Sequence, residues 1–392
     1  MSHEEKIKTL SEVFTPTFPV ANRNLFYGRL EQLKKVHDAI NSKGQHAILY
    51  GDRGVGKTSL ANIATLVYPD VIVSKVTCNR TEDFKSLWTK AFSKISFQQE
   101  TQGIGFKASP NFQSVQLELF LQKKKIIDSK NIESVLQNLS DKLLIIFDEF
   151  DSIKSEETKI RMADTIKALA DNVPNVTILI VGIAESVGAL IGSHPSLERC
   201  LLQIKMPRMS SNELDEIITN GMSRLSLKID NNLKSKIIDY SSGFPSYTHL
   251  LCRFAALSAI NENTEFITYS HFSTAVTNSL ENANQSLRDS YHKATMFQKG
   301  AINFSDIIYA CALAKSDELN CFSPNEILYE YNGLTKKKHR IQQITYHINQ
   351  LLTEERGSII EKIGTPYKAK LRFSNPMMKS FVRLKFHLRS VA

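Results

Sequence analysis

The hydrophobic rhythm of the chain changes twice. Up to about residue 208, short apolar runs alternate with stretches of helical period. Ala47 to Tyr50, Leu143 to Phe147 and Val176 to Val181 predict buried strands, Val71 to Cys78 alternates toward another, and Leu201 to Lys205 is a fifth, short one. Strands alternating with helices predict a parallel five-stranded sheet with right-handed crossovers. From Ser210 the pattern is purely helical. Ser210 to Glu213 is a capping box, Asp230 a second cap, Gly243 a stop and Pro245 a first-turn proline, which together predict a small helical bundle. In the last hundred residues Asp306 to Lys315 reads as a helix, and Ser323 to Glu326 caps a second. A third carries Ile341, Ile344, Ile348, Leu351 and Leu352 on one face. Ser358 to Ile363 and Tyr367 to Phe373 then read as a β-hairpin, and three helices with a basic hairpin predict a winged helix.

The remaining segments are less regular. Pro16 and Pro19 interrupt residues 1–20, which are expected to form a loose arm. Leu30 to Ile40 has helical period, with Leu33, Val36 and Ile40 on one face. Residues 82–140 are mostly helical in pattern, except that 98–114 is polar and glycine-bearing, as an exposed insertion would be. Lys123 to Lys125 reads as a solvated helix face. The expected division is an arm at 1–20, a nucleotide-binding α/β domain at 21–208, a helical domain at 209–288 and a winged helix at 289–392. A chain of 392 residues is long enough for such a division.

The chemistry concentrates at two strand ends. After the first strand, Gly51, Asp52, Arg53, Gly54, Val55, Gly56, Lys57 and Thr58 fit G-x-x-x-x-G-K-[ST] without a gap, and Ser59 continues into a helix. Glycines let successive N–H groups point at one phosphate, and the helix N-terminus adds partial positive charge. Lys57 can reach the β- and γ-phosphates, and the Thr58 hydroxyl is placed for Mg²⁺. At the end of the third strand stand Asp148 and Glu149, where ligands bind in open α/β sheets. Asp148 is suited to hold Mg²⁺ through water, and Glu149 to orient or deprotonate an attacking water. The cofactors expected are therefore ATP and Mg²⁺.

Composition adds a location and a partner class. No apolar run approaches membrane-spanning length and the polar start is no signal peptide, so a cytoplasmic protein without membrane contact is expected. The five cysteines have no zinc-like spacing. Of the formal +9 charge nearly all lies late in the chain, where residues 291–392 hold 16 Lys and Arg against 8 Asp and Glu. A polyanion such as DNA fits that end. The expected contacts are Lys336, Lys337, Lys338, Arg340, Lys368 and Lys370, mainly to phosphates. A winged helix used for protein contacts is the alternative, since the fold does not fix the partner.

With a P-loop, an Asp-Glu Walker B pair, a helical lid and a terminal winged helix in one chain, the sequence resembles an AAA+ ATPase of the initiator type. These are the origin-recognition and replication-licensing ATPases of archaea and eukaryotes, with their bacterial relatives. The resemblance covers about residues 20–390. It implies that the segment at Phe26 and Tyr27 helps to cover the adenine, that the protein self-associates on binding ATP, and that an arginine near the end of the sheet domain completes a neighbour's site. Arg199 is the best placed and Arg208 the next. Two departures bear on turnover. Glu185 and Ser186 stand where the family's polar sensor is usually Asn, and no arginine follows Gly243 closely, Arg253 being two turns further on. The expected function is an ATP-hydrolysing switch that binds DNA. Its rivals are a signalling or defence-type ATPase docking a protein effector, and a loader or transposition-type regulator with a client.

Overall fold

The computed structural model describes every residue except 21, 102–110, 123–126, 185–186, 192–196, 297–301, 318, 365–368 and 392. The chain forms two compact units, one of residues 1–18 with 209–392 and one of residues 19–208.

Residues 1–20 are not a loose arm. Helix α1, His3–Val13, opens on a Ser2 capping box and ends before Pro16, so the prolines delimit it instead of preventing it. Leu10, Val13 and Phe14 are buried in the unit that 209–392 completes.

The 19–208 unit begins with α2, Leu30–Asn41, which leads to β1, His46–Gly51. After it come α3, Lys57–Val67, β2, Val71–Thr77, and α4, Phe84–Ser93. Strands β3, Ser96–Thr101, and β4, Asn111–Gln116, form an antiparallel pair at the two ends of the stretch 98–114 that was expected to be an exposed insertion. Short α5, Leu119–Gln122, and α6, Ser129–Leu136, precede β5, Lys142–Asp148. Then follow α7, Glu156–Asn172, β6, Val176–Ile183, α8, Val187–Ile191, α9, Leu197–Cys200, and β7, Leu201–Lys205.

The parallel sheet has the order β2-β5-β6-β1-β7. The strands with unbroken apolar runs, β1, β5 and β6, take the interior places, while β2 and β7, which carry Lys75 and Lys205, take the edges. Buried Trp88 of α4 packs edge-on against Phe92 and Phe147, joining that helix to β5. Each such side chain contributes about 2–3 kcal/mol by leaving water.

The other unit continues from α1 with α10, Ser211–Arg224. Two-residue strands β8, Lys228–Ile229, and β9, Phe266–Ile267, pair in parallel around α11, Asn231–Ser241, and α12, Pro245–Asn261. Helices α13, Tyr269–Glu281, and α14, Gln285–Thr295, complete the run. The predicted caps at Ser210 and Asp230 are formed. Next come α15, Phe304–Leu313, α16, Pro324–Thr335, and α17, Ile341–Gln350. The hairpin of β10, Ile360–Ile363, with β11, Lys370–Phe373, leads to α18, Met378–Val391. Helix α18 is pinned to α11 by Arg383, which donates to the Asp239 carbonyl at 2.8 Å. Among the described residues no helix is long and apolar enough to cross a membrane.

Candidate nucleotide site

The P-loop needs its glycines for backbone reasons. Gly51 closes β1 with φ +152°, and a Cβ there would stand 2.4 Å from the Met206 carbonyl oxygen. Gly54 and Gly56 have φ of +82° and +95°, a region costly for other residues. Gly56 is the N-cap of α3 and lends it no side-chain cap. The first amides of α3 therefore remain as donors for an anion. Val55 is buried, Arg53 is exposed, and the Ser59 hydroxyl accepts from the Val20 N–H at 3.1 Å.

Lys57 is buried against the loop. Its ammonium donates to the carbonyls of Gly51 at 3.0 Å and Asp52 at 2.7 Å. Burial pulls its pKa down to about 8, opposed by the charges of Asp151, Asp52 and Asp148. The Thr58 hydroxyl donates to Asp148 Oδ1 at 3.3 Å, and the same oxygen accepts from the Glu149 N–H at 3.0 Å. Asp148 is almost wholly buried, while Glu149 is exposed and held in the left-handed region with φ +56°. A non-glycine residue held in that region carries a backbone cost of about 1–3 kcal/mol. Asp151 Oδ1 accepts from the Ile183 N–H at 2.8 Å, tying the loop after β5 to the end of β6.

The structure thus brings Lys57, Thr58, Asp148 and Glu149 to one end of the sheet. Asp148 and Thr58 offer hard oxygen donors at hydrogen-bond distance, a set that fits Mg²⁺.

Two residues of this neighbourhood, Arg29 and Lys75, were not legible as site residues, and Arg208 was expected to face a neighbour. Arg29 is buried with φ +62°, and its guanidinium donates to the carbonyls of Val55 at 3.2 Å and Pro207 at 2.6 Å, bracing the P-loop from behind. Gly28-Arg29 before a helix was the only trace of it. Lys75, on β2, lies 2.9 Å from Asp148 Oδ2. Arg208 donates to Asp52 Oδ2 at 3.3 Å, so it faces its own P-loop; burial lowers its pKa against the pull of Asp52. Arg199 is exposed and pairs with Asp171 at 3.1 Å, an interaction of small energy in water. Glu185 and Ser186 lie outside the described residues. Arg253 is engaged within the other unit, donating to the Phe14 carbonyl at 3.2 Å.

The cations expected to contact DNA divide into two groups. Lys336 ends α16 in the left-handed region, and Lys337, Lys338 and Arg340 are exposed beside it. Asn332 holds this loop, accepting from the His339 N–H at 2.8 Å and donating to its carbonyl at 3.3 Å. On the hairpin Lys370 is already paired with Asp317 at 2.8 Å and Arg372 with Glu361 at 2.7 Å. Lys368 lies outside the described residues.

A P-loop after β1, an acidic pair at the end of β5 and the sheet order between them define a P-loop NTPase with an AAA+-like parallel sheet. Within that class the chain belongs to the novel STAND NTPase 1 family, whose model matches residues 16–291. It is similar in fold to the Walker-type ATPase PABY2304 of Pyrococcus abyssi, at 16% identity over 94% of this chain and 99% of that one, with a TM-score of 0.52. The ORC2 protein of Aeropyrum pernix, solved as ADPNP-ADP complexes, is 14% identical over 97% and 98% of the two chains, with a TM-score of 0.51. No curated protein sequence matches it.

Proposed function

We propose that this NTPase is a slow, Mg²⁺-dependent ATPase that works as a switch and binds DNA through its C-terminal helices and hairpin, read as a winged helix. The observation that carries the ATPase reading is the convergence of the uncapped start of α3, Lys57, the Thr58–Asp148 oxygen pair and Glu149 at one end of the sheet. The amides of residues 54–59 and Lys57 bind the phosphates of ATP. Lys57 then gives up the carbonyls of Gly51 and Asp52 for phosphate oxygens. Thr58 and Asp148 would hold Mg²⁺, which would supply charge neutralisation to the phosphates. Glu149 orients a water in line with the γ-phosphorus and takes its proton as the bond to the ADP oxygen breaks. Arg199, exposed at the end of the sheet unit, supplies the charge that a neighbouring subunit's ATP needs on self-association; Arg208, folded on Asp52, is the weaker choice.

The lid is taken as residues 209–288 and the winged helix as 289–392. The DNA reading is supported by Lys336, Lys337, Lys338 and Arg340 gathered at the start of α17, whose exposed face carries Gln342, Gln343, Thr345, Tyr346 and Asn349 without a carboxylate. Lys368 and Lys370 would grip phosphate from the hairpin. A second reading, in which this module docks a protein effector, draws support from the pairing of Lys370 and Arg372 with acidic partners. The site is taken to work in the cytoplasm.

Turnover by Glu149→Gln tests the ATPase reading. The variant should bind ATP like the wild type and lose hydrolysis by at least about a hundredfold. Equal turnover in the two would remove Glu149 from the reaction.

A further inference from the structure

Beyond the residues assigned above, the ion pair at the edge of the sheet carries a consequence for the metal. We propose that Lys75 is a resident counter-cation of Asp148 that competes with the divalent ion, so that nucleotide binding depends only weakly on Mg²⁺. The inference rests on the ATP reading and deepens it.

Strand β2 runs beside β5 in parallel, with Thr77 opposite Asp148 and Lys75 opposite Ile146. A lysine side chain started two residues back is long enough to reach the carboxylate at the strand end. Its ammonium stands 2.9 Å from Asp148 Oδ2, while Oδ1 accepts from Thr58 and from the Glu149 N–H. Both oxygens of a carboxylate only 3% exposed are therefore engaged by the chain itself. Left without a cation, a carboxylate this buried is expensive to keep charged. Lys75 meets that requirement, and a divalent ion drawn to Thr58 and Asp148 would meet the ammonium at close range.

The ammonium has somewhere else to go. Asn62 of α3 accepts from Lys75 through Oδ1 at 2.5 Å, so the lysine can release the carboxylate and keep a partner. Its side chain is 21% exposed, enough to remain partly hydrated as it moves. A purely structural pair would stabilise the sheet edge without affecting the metal. Lys75 touches no reacting atom in this account and is a positioning residue, so its test reads metal dependence.

The experiment measures the affinity of the full chain for a non-hydrolysable ATP analogue, in EDTA and in millimolar Mg²⁺. It compares the wild type, Lys75→Met and the charge-retaining Lys75→Arg. Mg²⁺ should tighten binding by less than about tenfold in the wild type and in Lys75→Arg. In Lys75→Met the ratio should grow by at least about another tenfold, mostly through weaker binding in EDTA. Equal ratios in Lys75→Met and the wild type, with nucleotide bound by both, would overturn this inference alone. Binding by none of the three would sink the ATP reading and this inference with it. Should Lys75→Met not fold, the wild type decides: enhancement by Mg²⁺ below about tenfold supports the proposal, and a larger one overturns it.

Discussion

At the residue scale, Lys57 sets the pH behaviour of the site. Its pKa is lowered to about 8 by burial, whereas a phosphate ligand would stabilise the charged form. Nucleotide affinity should therefore be flat below about pH 8 and fall as pH rises above it, with proton uptake on binding in calorimetry. The sign for stability is the reverse. The unfolded chain holds this proton up to about 10.5 and the folded one only to about 8, so folding gains stability between those values. His46 acts at the acid end. Its Nδ1 accepts from the Ile178 N–H at 3.0 Å, and burial takes its pKa from 6.5 to about 4. Neutral in the fold and protonated in the unfolded chain, it should cost up to about 3 kcal/mol as pH falls from 6.5 to 4. A denaturant titration of His46→Gln should show that part of the acid loss removed. Lys57, Thr58, Asp148 and Glu149 were legible because a contiguous motif encodes their chemistry. Lys75 and Arg29 were not, because strand adjacency and the return of the chain past β7 bring them to the site, and neither is written in local spacing; Arg208 was named for a neighbour's site, whereas it folds on Asp52 of its own loop.

At the element scale, the strands were legible from their apolar runs and the helices of the second unit from their caps. The antiparallel pair β3–β4 was missed because Ser96 to Thr101 has too few apolar positions to show a period of two. α1 was missed because its two prolines were read as breaking an element that ends before them. Packing then fixes how much each element tolerates. Trp88→Ala should cost about 3–5 kcal/mol in a denaturation midpoint experiment, since its ring meets both α4 and β5. Gly51→Ala should lower stability even with no nucleotide, because its Cβ meets the Met206 carbonyl, which is backbone and cannot rotate away. A melting temperature equal to the wild type would contradict that account of the loop.

At the scale of the whole molecule, the distribution of charge separates two tasks. The sheet unit concentrates its chemistry at one strand end, and the excess of positive charge lies in the last quarter of the sequence. The family model ends at residue 291, ahead of that basic region, so the partner of the C-terminal module has to come from its own chemistry. If Lys336, Lys337 and Lys338 each neutralise a phosphate, replacing all three by Ala should reduce the slope of log affinity against log salt by about 2–3. The most direct test of a nucleotide switch acting on DNA is duplex binding by Glu149→Gln, loaded with ATP or with ADP at one fixed salt concentration. The account predicts salt-steep binding that differs between the two nucleotides and is lost when the three lysines are replaced. Binding absent in both nucleotide states, with the protein folded and nucleotide bound, would contradict it.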